Sequence, residues 1–404
     1  MRISTSMIFD KGAASIQQQS ASLTHLAQQV ASGKRILTPA DDPVGAARVL
    51  DLTQAKGINA QYATNQGYAN DQLNLVESKL TGVGDILQYA RERAVQAGSG
   101  TLNAEDRGFI AADMRSQFDA LMALANTRDA NNEYMFGGYR SQSQPFTGNL
   151  AGVSYEGDQG VRTLQVSSSR FMPVSFAGSE VFEGRVVTEA DVGVFISAGA
   201  SQKLSVSFSP PQLDSSDSGK RYEISYDSTL PGYNVVEYRP GDPSPRPVTL
   251  DTDPPVLNAG GFLELRFNGL AVTVNDTSSG GEKYEVIVPS ANVFDNFALF
   301  IDGLERPGAG GVAANIEFAL QNFDAGLESV LKVRAQVGSQ MVEVEQLQNI
   351  GSDLNIQYAT TLSGLQDLDY AEALTDLTMR QTLLQAAQQS FMRVSGLSLF
   401  NYLQ

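Results

Sequence analysis

The sequence predicts an α+β protein: a long coiled-coil-like helical bundle built from both chain ends, with an antiparallel β-rich domain inserted between them. Three observations carry this expectation. Apolar residues recur every seven positions through 62–94 and again through 316–344, the mark of helices packed along a seam. Between about 140 and 309 the apolar period falls to two, the mark of half-buried strands. Close to the N-terminus, Ser32-Gly33-Lys34-Arg35-Ile36-Leu37-Thr38-Pro39-Ala40-Asp41-Asp42-Pro43-Val44-Gly45-Ala46-Ala47 breaks one helical pattern and starts another.

The first helix is expected over 13–32. Ile16, Leu23 and Val30 lie seven apart and Leu26 supplies a second seam position, while Gln, Ser and Thr fill the other faces. Gly33 offers the left-handed turn that closes a helix. Lys34 and Arg35 follow where cations meet unpaired carbonyls and the negative end of the helix dipole. Pro39 forbids helix at Ala40. Asp42 is placed to accept from the free N–H groups of the next helix, whose first position Pro43 fills without needing a donor. Gly33, Arg35, Asp42 and Pro43 thus define a structural corner. The only histidine, His25, has no His or Cys beside it and is read as a packing or surface residue.

The next helix should run 43–97, about 80 Å at the α-helical rise. Tyr62, Ala69, Val76, Val83 and Ala90 form one heptad series, and Leu73, Leu80, Leu87 and Ala94 the other. Gly98-Ser99-Gly100 ends it. Asn103 then caps a helix over 104–128, with Asp106 in its first turn and Ile110, Met114, Phe118 and Leu121 facing inward.

Strands are expected at 203–208, 222–226, 263–267, 270–274 and 284–288, the last stopped by Pro289. Asn268-Gly269 lies between two alternating runs, a strong hairpin signal because both residues accept positive φ. Prolines 240, 243, 245, 247, 254 and 255 belong in loops or edge strands. A short helix is expected from Asn292 to Ile301.

Helical periodicity resumes near 312. Ile316, Phe323, Val330, Val337 and Val344 form a heptad supported by Leu320, Leu327 and Met341. Arg334 interrupts the second series and is expected to snorkel its charge out of the seam. In the last helix Tyr370, Leu377, Leu384 and Phe391 recur every seven, with Ala373, Ala387 and Val394 between them. The organisation read from these periods is terminal assembly arms at 1–42 and 370–404, a helical bundle at 43–140 and 310–369, and an inserted β domain at 141–309. Each arm carries only a narrow apolar stripe, too little to offset the entropy of ordering it alone, so the arms are read as elements that fold on assembly. The residues expected at subunit contacts are Ile16, Leu23, Leu26, Val30, Leu377, Leu384, Phe391, Val394 and Leu397.

Composition narrows the function. A net charge of −17 over 404 residues argues against nucleic-acid binding or an anionic membrane, which call for clustered Lys and Arg. The absence of cysteine removes disulfides, thiolate zinc sites and thiol nucleophiles. No run of 18 apolar residues suggests membrane insertion, and no apolar core after Arg2 suggests a conventional signal peptide. Catalysis is not expected either: one histidine leaves no Ser-His-Asp set, and Pro43 favours capping over acid–base chemistry at Asp41-Asp42. Gly308-Ala309-Gly310-Gly311-Val312-Ala313 loosely fits a phosphate loop but follows helix-like residues, so it reads as a flexible connection. Asp251-Thr252-Asp253 lacks the later ligands of a calcium loop, and Asn275-Asp276-Thr277 is a glycosylation sequon by letters only. No metal and no cofactor are expected.

Several of these stretches resemble one family, the flagellins and flagellar hook-associated proteins. The corner 32–47 is similar to their N-terminal signature. Met1-Arg2-Ile3-Ser4-Thr5, Gly98-Ser99-Gly100-Thr101-Leu102, Asp106-Arg107 and Tyr134-Met135-Phe136-Gly137-Gly138 fit the same family. So do Leu365-Gln366-Asp367-Leu368-Asp369-Tyr370 and Leu397-Ser398-Leu399-Phe400-Asn401-Tyr402-Leu403. The likeness covers roughly the first 160 and last 95 residues. Asn132 stands where the family often has glycine; asparagine also tolerates the left-handed turn. The start and the ending are most similar to members at the hook–filament junction. The resemblance implies an extracellular structural adaptor: a self-assembled ring between a neighbouring hook-associated protein and flagellin. It further implies secretion through the flagellar type III channel with an export chaperone. The alternatives are filament flagellin itself, or a secreted glycan-binding module or enzyme on the β domain, for which Tyr222, Tyr226, Tyr233 and Tyr238 are the candidate residues.

Overall fold

The computed structural model describes residues 5–184, 186–196, 204–208, 219–227, 232–242, 244–251, 256–257, 262–274, 283–308 and 310–400. Long helices come from both chain ends and all the strands lie between them. The helices are α1 (Thr5–Ser32), α2 (Pro43–Ala97), α3 (Ala104–Ala125), α4 (Gly178–Phe182), α5 (Val293–Glu305), α6 (Gly311–Gln366) and α7 (Tyr370–Phe400). The chain divides into two compact units: Met1–Thr64 with Gln346–Gln404, and Asn65–Glu345.

In the central unit, 65–345, the stretches of α2 and α6 run antiparallel. Ala69, Leu73, Val76, Leu80, Val83, Leu87 and Ala90 are buried, as are Ile316, Phe323, Val330, Val337 and Val344, so both heptad series form the seam the sequence predicts. Arg91 pairs with Asp324 at 2.7 Å. Arg334 does not snorkel to solvent: its guanidinium reaches across to Glu77 at 2.6 Å, because a facing carboxylate holds the charge better than water at a half-buried position.

Asn103 and Asp106 close a reciprocal capping box at the start of α3. This helix stops at Ala125, short of the predicted 128. The Asn126 side chain binds both the N–H and the carbonyl of Phe146, each at 3.0 Å, and that tertiary contact ends the helix. Helix α1 differs in the other sense, beginning at Thr5 rather than 13. Helix α5 runs to Glu305, with Asn292 as its cap, and presents Phe294 to Phe118, Phe146 and Phe182 at ring-centroid distances of 6.0, 5.3 and 5.5 Å.

The strands are β1 (Phe146–Asn149), β2 (Gly152–Tyr155), β3 (Thr163–Gln165), β4 (Phe171–Pro173), β5 (Gly193–Ile196), β6 (Leu204–Phe208), β7 (Lys220–Asp227), β8 (Gly232–Tyr238), β9 (Arg246–Val248), β10 (Val256–Leu257), β11 (Leu263–Phe267), β12 (Leu270–Val274) and β13 (Lys283–Val288). β1–β2 and β3–β4 are two-stranded. A five-stranded sheet has the order β5-β13-β7-β8-β9 and a four-stranded sheet β10-β11-β12-β6, with every pairing antiparallel. Both larger sheets contribute to one core, in which Tyr222, Ile224, Tyr284 and Val286 meet Leu265, Phe267, Leu270 and Val272. Asn268 and Gly269 have φ of 46° and 72°, giving the primed hairpin turn that their sequence predicts. Pro247 sits in β9, an edge strand.

The glycine run at 308–313 follows α5 rather than a strand, unlike a phosphate loop, and joins it to α6. Gly310 N–H donates to the Glu285 carboxylate at 3.3 Å, and Gly311, with φ of 71°, turns directly into α6. Pro243, Pro254 and Pro255, the Thr252-Asp253 pair and the 275–277 sequon lie outside the described residues.

Candidate assembly interface at the chain ends

The terminal unit is built from α1, α7, residues 43–64 of α2 and 346–366 of α6. α1 and α7 are antiparallel: Gly12 lies against the Phe391 ring and Gly33 against Tyr370. The corner after α1 forms as its residues dictate. Gly33 has φ of 69° and its N–H closes on the Gln29 carbonyl at 2.9 Å. Asp42 accepts from Gly45 N–H at 2.8 Å, and Ala46 N–H makes the first intrahelical bond, to the Asp42 carbonyl. Pro43 is the first residue of α2.

A second corner, between α6 and α7, pairs with the first. Arg35 N–H donates to the Gln366 carbonyl at 2.7 Å and Leu368 N–H to the Gly33 carbonyl at 3.0 Å, a two-bond antiparallel bridge. The Arg35 guanidinium does meet helix-end carbonyls, but those of α6 rather than α1: it donates to the Leu365 carbonyl at 2.9 Å and to Asp42 at 3.5 Å. Asp369 caps α7 by accepting from Ala371 and Glu372 N–H at 2.9 and 3.2 Å, repeating the role of Asp42.

Asp41 plays a different part. It accepts from Leu37 and Thr38 N–H at 2.9 and 2.8 Å and bonds His25 Nε2 at 2.9 Å, so the lone histidine fastens the corner loop to α1. The Thr38 N–H is the main cause holding the Asp41 carboxyl below its ordinary pKa, with Leu37 and His25 adding to it. For Asp42 the main cause is Gly45 N–H, reinforced by Arg35.

The predicted contact residues fall into three groups. Leu26 is buried. Ile16, Leu23, Val30, Leu377, Leu384 and Phe391 are half-buried, all on the two helices that pack together within the chain. Val394 and Leu397 have side chains outside the described residues. Further apolar side chains of α7 lie off this stripe: Leu374, Met379, Leu383 and Met392 stand between 50 and 64 % exposed. They share no single helical period, so no periodicity marks them in the sequence. Tyr370 over Gly33 and His25 on Asp41 have no signal there either, since both depend on how the corners meet.

Buried apolar side chains are few in this unit: among its described residues Leu26, Leu362 and Ala373 are the fully buried ones, while Leu50, Ile350 and Ile356 join the exposed set. Among the described residues no three His, Cys, Asp or Glu side chains group as metal ligands, and no helix is long and apolar enough to cross a membrane. In the central unit, Tyr222 is buried 5.1 Å from Phe267 and Tyr238 lies beneath the Arg221 guanidinium; the Tyr226 side chain lies outside the described residues.

The terminal unit is thus a helical unit drawn from both chain ends, with few buried apolar side chains among its described residues and exposed ones on α7, α2 and α6. Residues 3–141 match the bacterial flagellin N-terminal helical region. Over its full length the chain is similar to flagellar hook-associated protein 3 of Salmonella typhimurium, 28% identical over 400 residues, 99% of each chain. The crystal structure of flagellar hook-associated protein 3 from Legionella pneumophila shares the fold, with a TM-score of 0.54 and 22% identity over 78% of this chain and 98% of that one. A flagellin of Listeria monocytogenes is 31% identical over 133 residues, 33% of this chain and 46% of the flagellin.

Proposed function

We propose that this chain is a structural adaptor of the bacterial flagellum, forming a ring at the junction between a hook-side hook-associated protein and the flagellin filament. The observation that carries the proposal is the terminal unit, which buries few apolar side chains among its described residues and exposes others on α7, α2 and α6. Uncovered apolar surface of this kind is stable in water once neighbouring subunits bury it. The full-length likeness to hook-associated protein 3 supports the junction over the filament, since the flagellin likeness stops after about a third of the chain.

In this reading residues 1–42 and 370–404 are the assembling arms, 43–140 with 310–369 the bundle, and 141–309 an inserted β domain. The contact partners are further copies of the chain, the hook-side neighbour and flagellin. Export runs through the flagellar type III channel, with a chaperone covering the C-terminal helix until delivery. The role is architectural rather than catalytic.

The test separates contacts within the chain from contacts between chains. Leu383→Asp alters an exposed residue and should leave the unfolding of the isolated protein unchanged while abolishing filament attachment to the hook. Leu384→Asp and Leu23→Asp, at half-buried positions, should weaken the α1–α7 pairing as well, because burying a charge there costs several kcal/mol. Normal filaments in Leu383→Asp would remove this part of α7 from the interface. Counting copies on isolated flagella separates a junction ring from filament flagellin.

A further inference from the structure

The two faces of the five-stranded sheet in the central unit are built differently. Tyr222 and Ile224 of β7, with Tyr284 and Val286 of β13, belong to the core shared with the four-stranded sheet. Their neighbours Arg221, Glu285 and Ile287 therefore point the other way, and Arg221 stands opposite Ile287 in the ladder. On that side Ile287 packs with Leu299 of α5 and Phe318 of α6. Beside this apolar contact lies a network of buried charges. The Arg221 guanidinium reaches Asp302 of α5 at 3.1 Å and Glu285 at 3.4 Å, and the three side chains are no more than 7 % exposed. It also donates at 2.6 Å to the carbonyl of Arg306, the residue that closes α5, and lies over the Tyr238 ring at 5.0 Å. Asp302 accepts in turn from the Arg306 guanidinium, which donates to the Asp242 carbonyl at 3.1 Å. Glu285 accepts from the Gly310 N–H, just ahead of α6.

We propose that this ion network, centred on Arg221, fixes the one way in which the five-stranded sheet seats on the end of α5 and the start of α6, selecting a single seating rather than adding stability. Apolar burial is non-directional, so Ile287, Leu299 and Phe318 would pack nearly as well with the sheet turned or slid a little. The network does not tolerate such a shift. A guanidinium is a planar fork, and this one addresses a carboxylate on β13 together with a carboxylate and a helix-end carbonyl on α5. Breaking that fit leaves a buried charge without its partner, which costs far more than displacing a methyl group. In the observed seating the mutual attraction largely offsets the desolvation of the three buried charges and adds little beyond that. The network therefore specifies where the sheet sits, while apolar burial supplies the stability.

The chain has no cysteine, so Gln88→Cys on α2 and Asn234→Cys on β8, both at exposed positions, can carry spin labels whose separation in the full chain reports the seating. With the network intact the labels should give one narrow distance distribution. Arg221→Met leaves Glu285 and Asp302 buried without their guanidinium and should lower Tm by roughly 10 °C. Adding Glu285→Gln and Asp302→Asn removes the buried charges together. In that triple variant Tm should recover most of the loss, while the distance distribution widens or splits. Arg221→Lys, which keeps the charge but not the fork, should widen it as well. A distribution as narrow as that of the intact network in either variant overturns the proposal. So does a triple variant that melts as low as Arg221→Met or fails to fold, because the network would then be a source of stability.

Discussion

Tyr370 sets its hydroxyl 2.8 Å from where a β-carbon on Gly33 would stand, so the first residue of α7 closes over the last turn of α1. Gly33 is thereby required twice, by its φ of 69° and by the space above it. Gly33→Ala should cost roughly 1–2 kcal/mol from the backbone alone, with the hydroxyl clash added. Tyr370→Phe in the same background should restore the second part and leave the first. The readout is exchange of the Leu368 amide, which donates to the Gly33 carbonyl. Equal losses in the single and double variants would show that Tyr370 moves aside freely.

Asp42 caps α2 through Gly45 N–H, so Asp42→Ala should strip protection from the Gly45 amide while Asp42→Ser or Asp42→Asn keeps most of it. The same group fixes an acid limit. Its folded pKa lies below the ordinary 3.8, so its stabilisation is present above that value and fades as pH falls below it. Asp41 behaves alike, and the Leu37 and Thr38 amides should loosen in the same range. A corner unchanged at pH 3, or serine failing as alanine does, would contradict the capping account.

Arg334 and Glu77 join α6 to α2 inside the seam of the central unit. Leu at Arg334 and Gln at Glu77, alone and together, should give a coupling of about 0.5–1 kcal/mol that shrinks with added salt. Thermal unfolding of the four proteins measures it. A coupling of zero would mean that the alkyl stem of Arg334, not its charge, fills the seam.

The terminal unit buries few apolar side chains, whereas Leu73, Val76 and Leu80 in the central seam are wholly buried. Amides of α1 and α7 in the isolated chain should therefore exchange orders of magnitude faster than those three. Assembly into filament-bearing flagella should slow the arms selectively. Arms as protected as the seam in a confirmed monomer would contradict the view that subunits supply the missing core.

Periodicity, capping chemistry and turn residues are local properties, and they determine much of this protein. The bounds of α2, the cap at Asn103, the Asn268-Gly269 hairpin and the heptad seams all follow from residues within a few positions of one another. What the tertiary structure decided depends on partners distant in sequence. Arg334 could not be read as the mate of Glu77, nor Asn126 as the end of α3, because each partner lies on another element. The same holds at the corners. Sequence placed Arg35 at a helix end, but only the meeting of two corners shows that the carbonyls belong to α6. Sequence also wrote one apolar stripe on the last helix, while packing against α1 half-covers that stripe and leaves Leu374, Met379 and Leu383 outward. A heptad states that a face will be buried; which chain buries it is fixed by what the rest of the fold leaves uncovered.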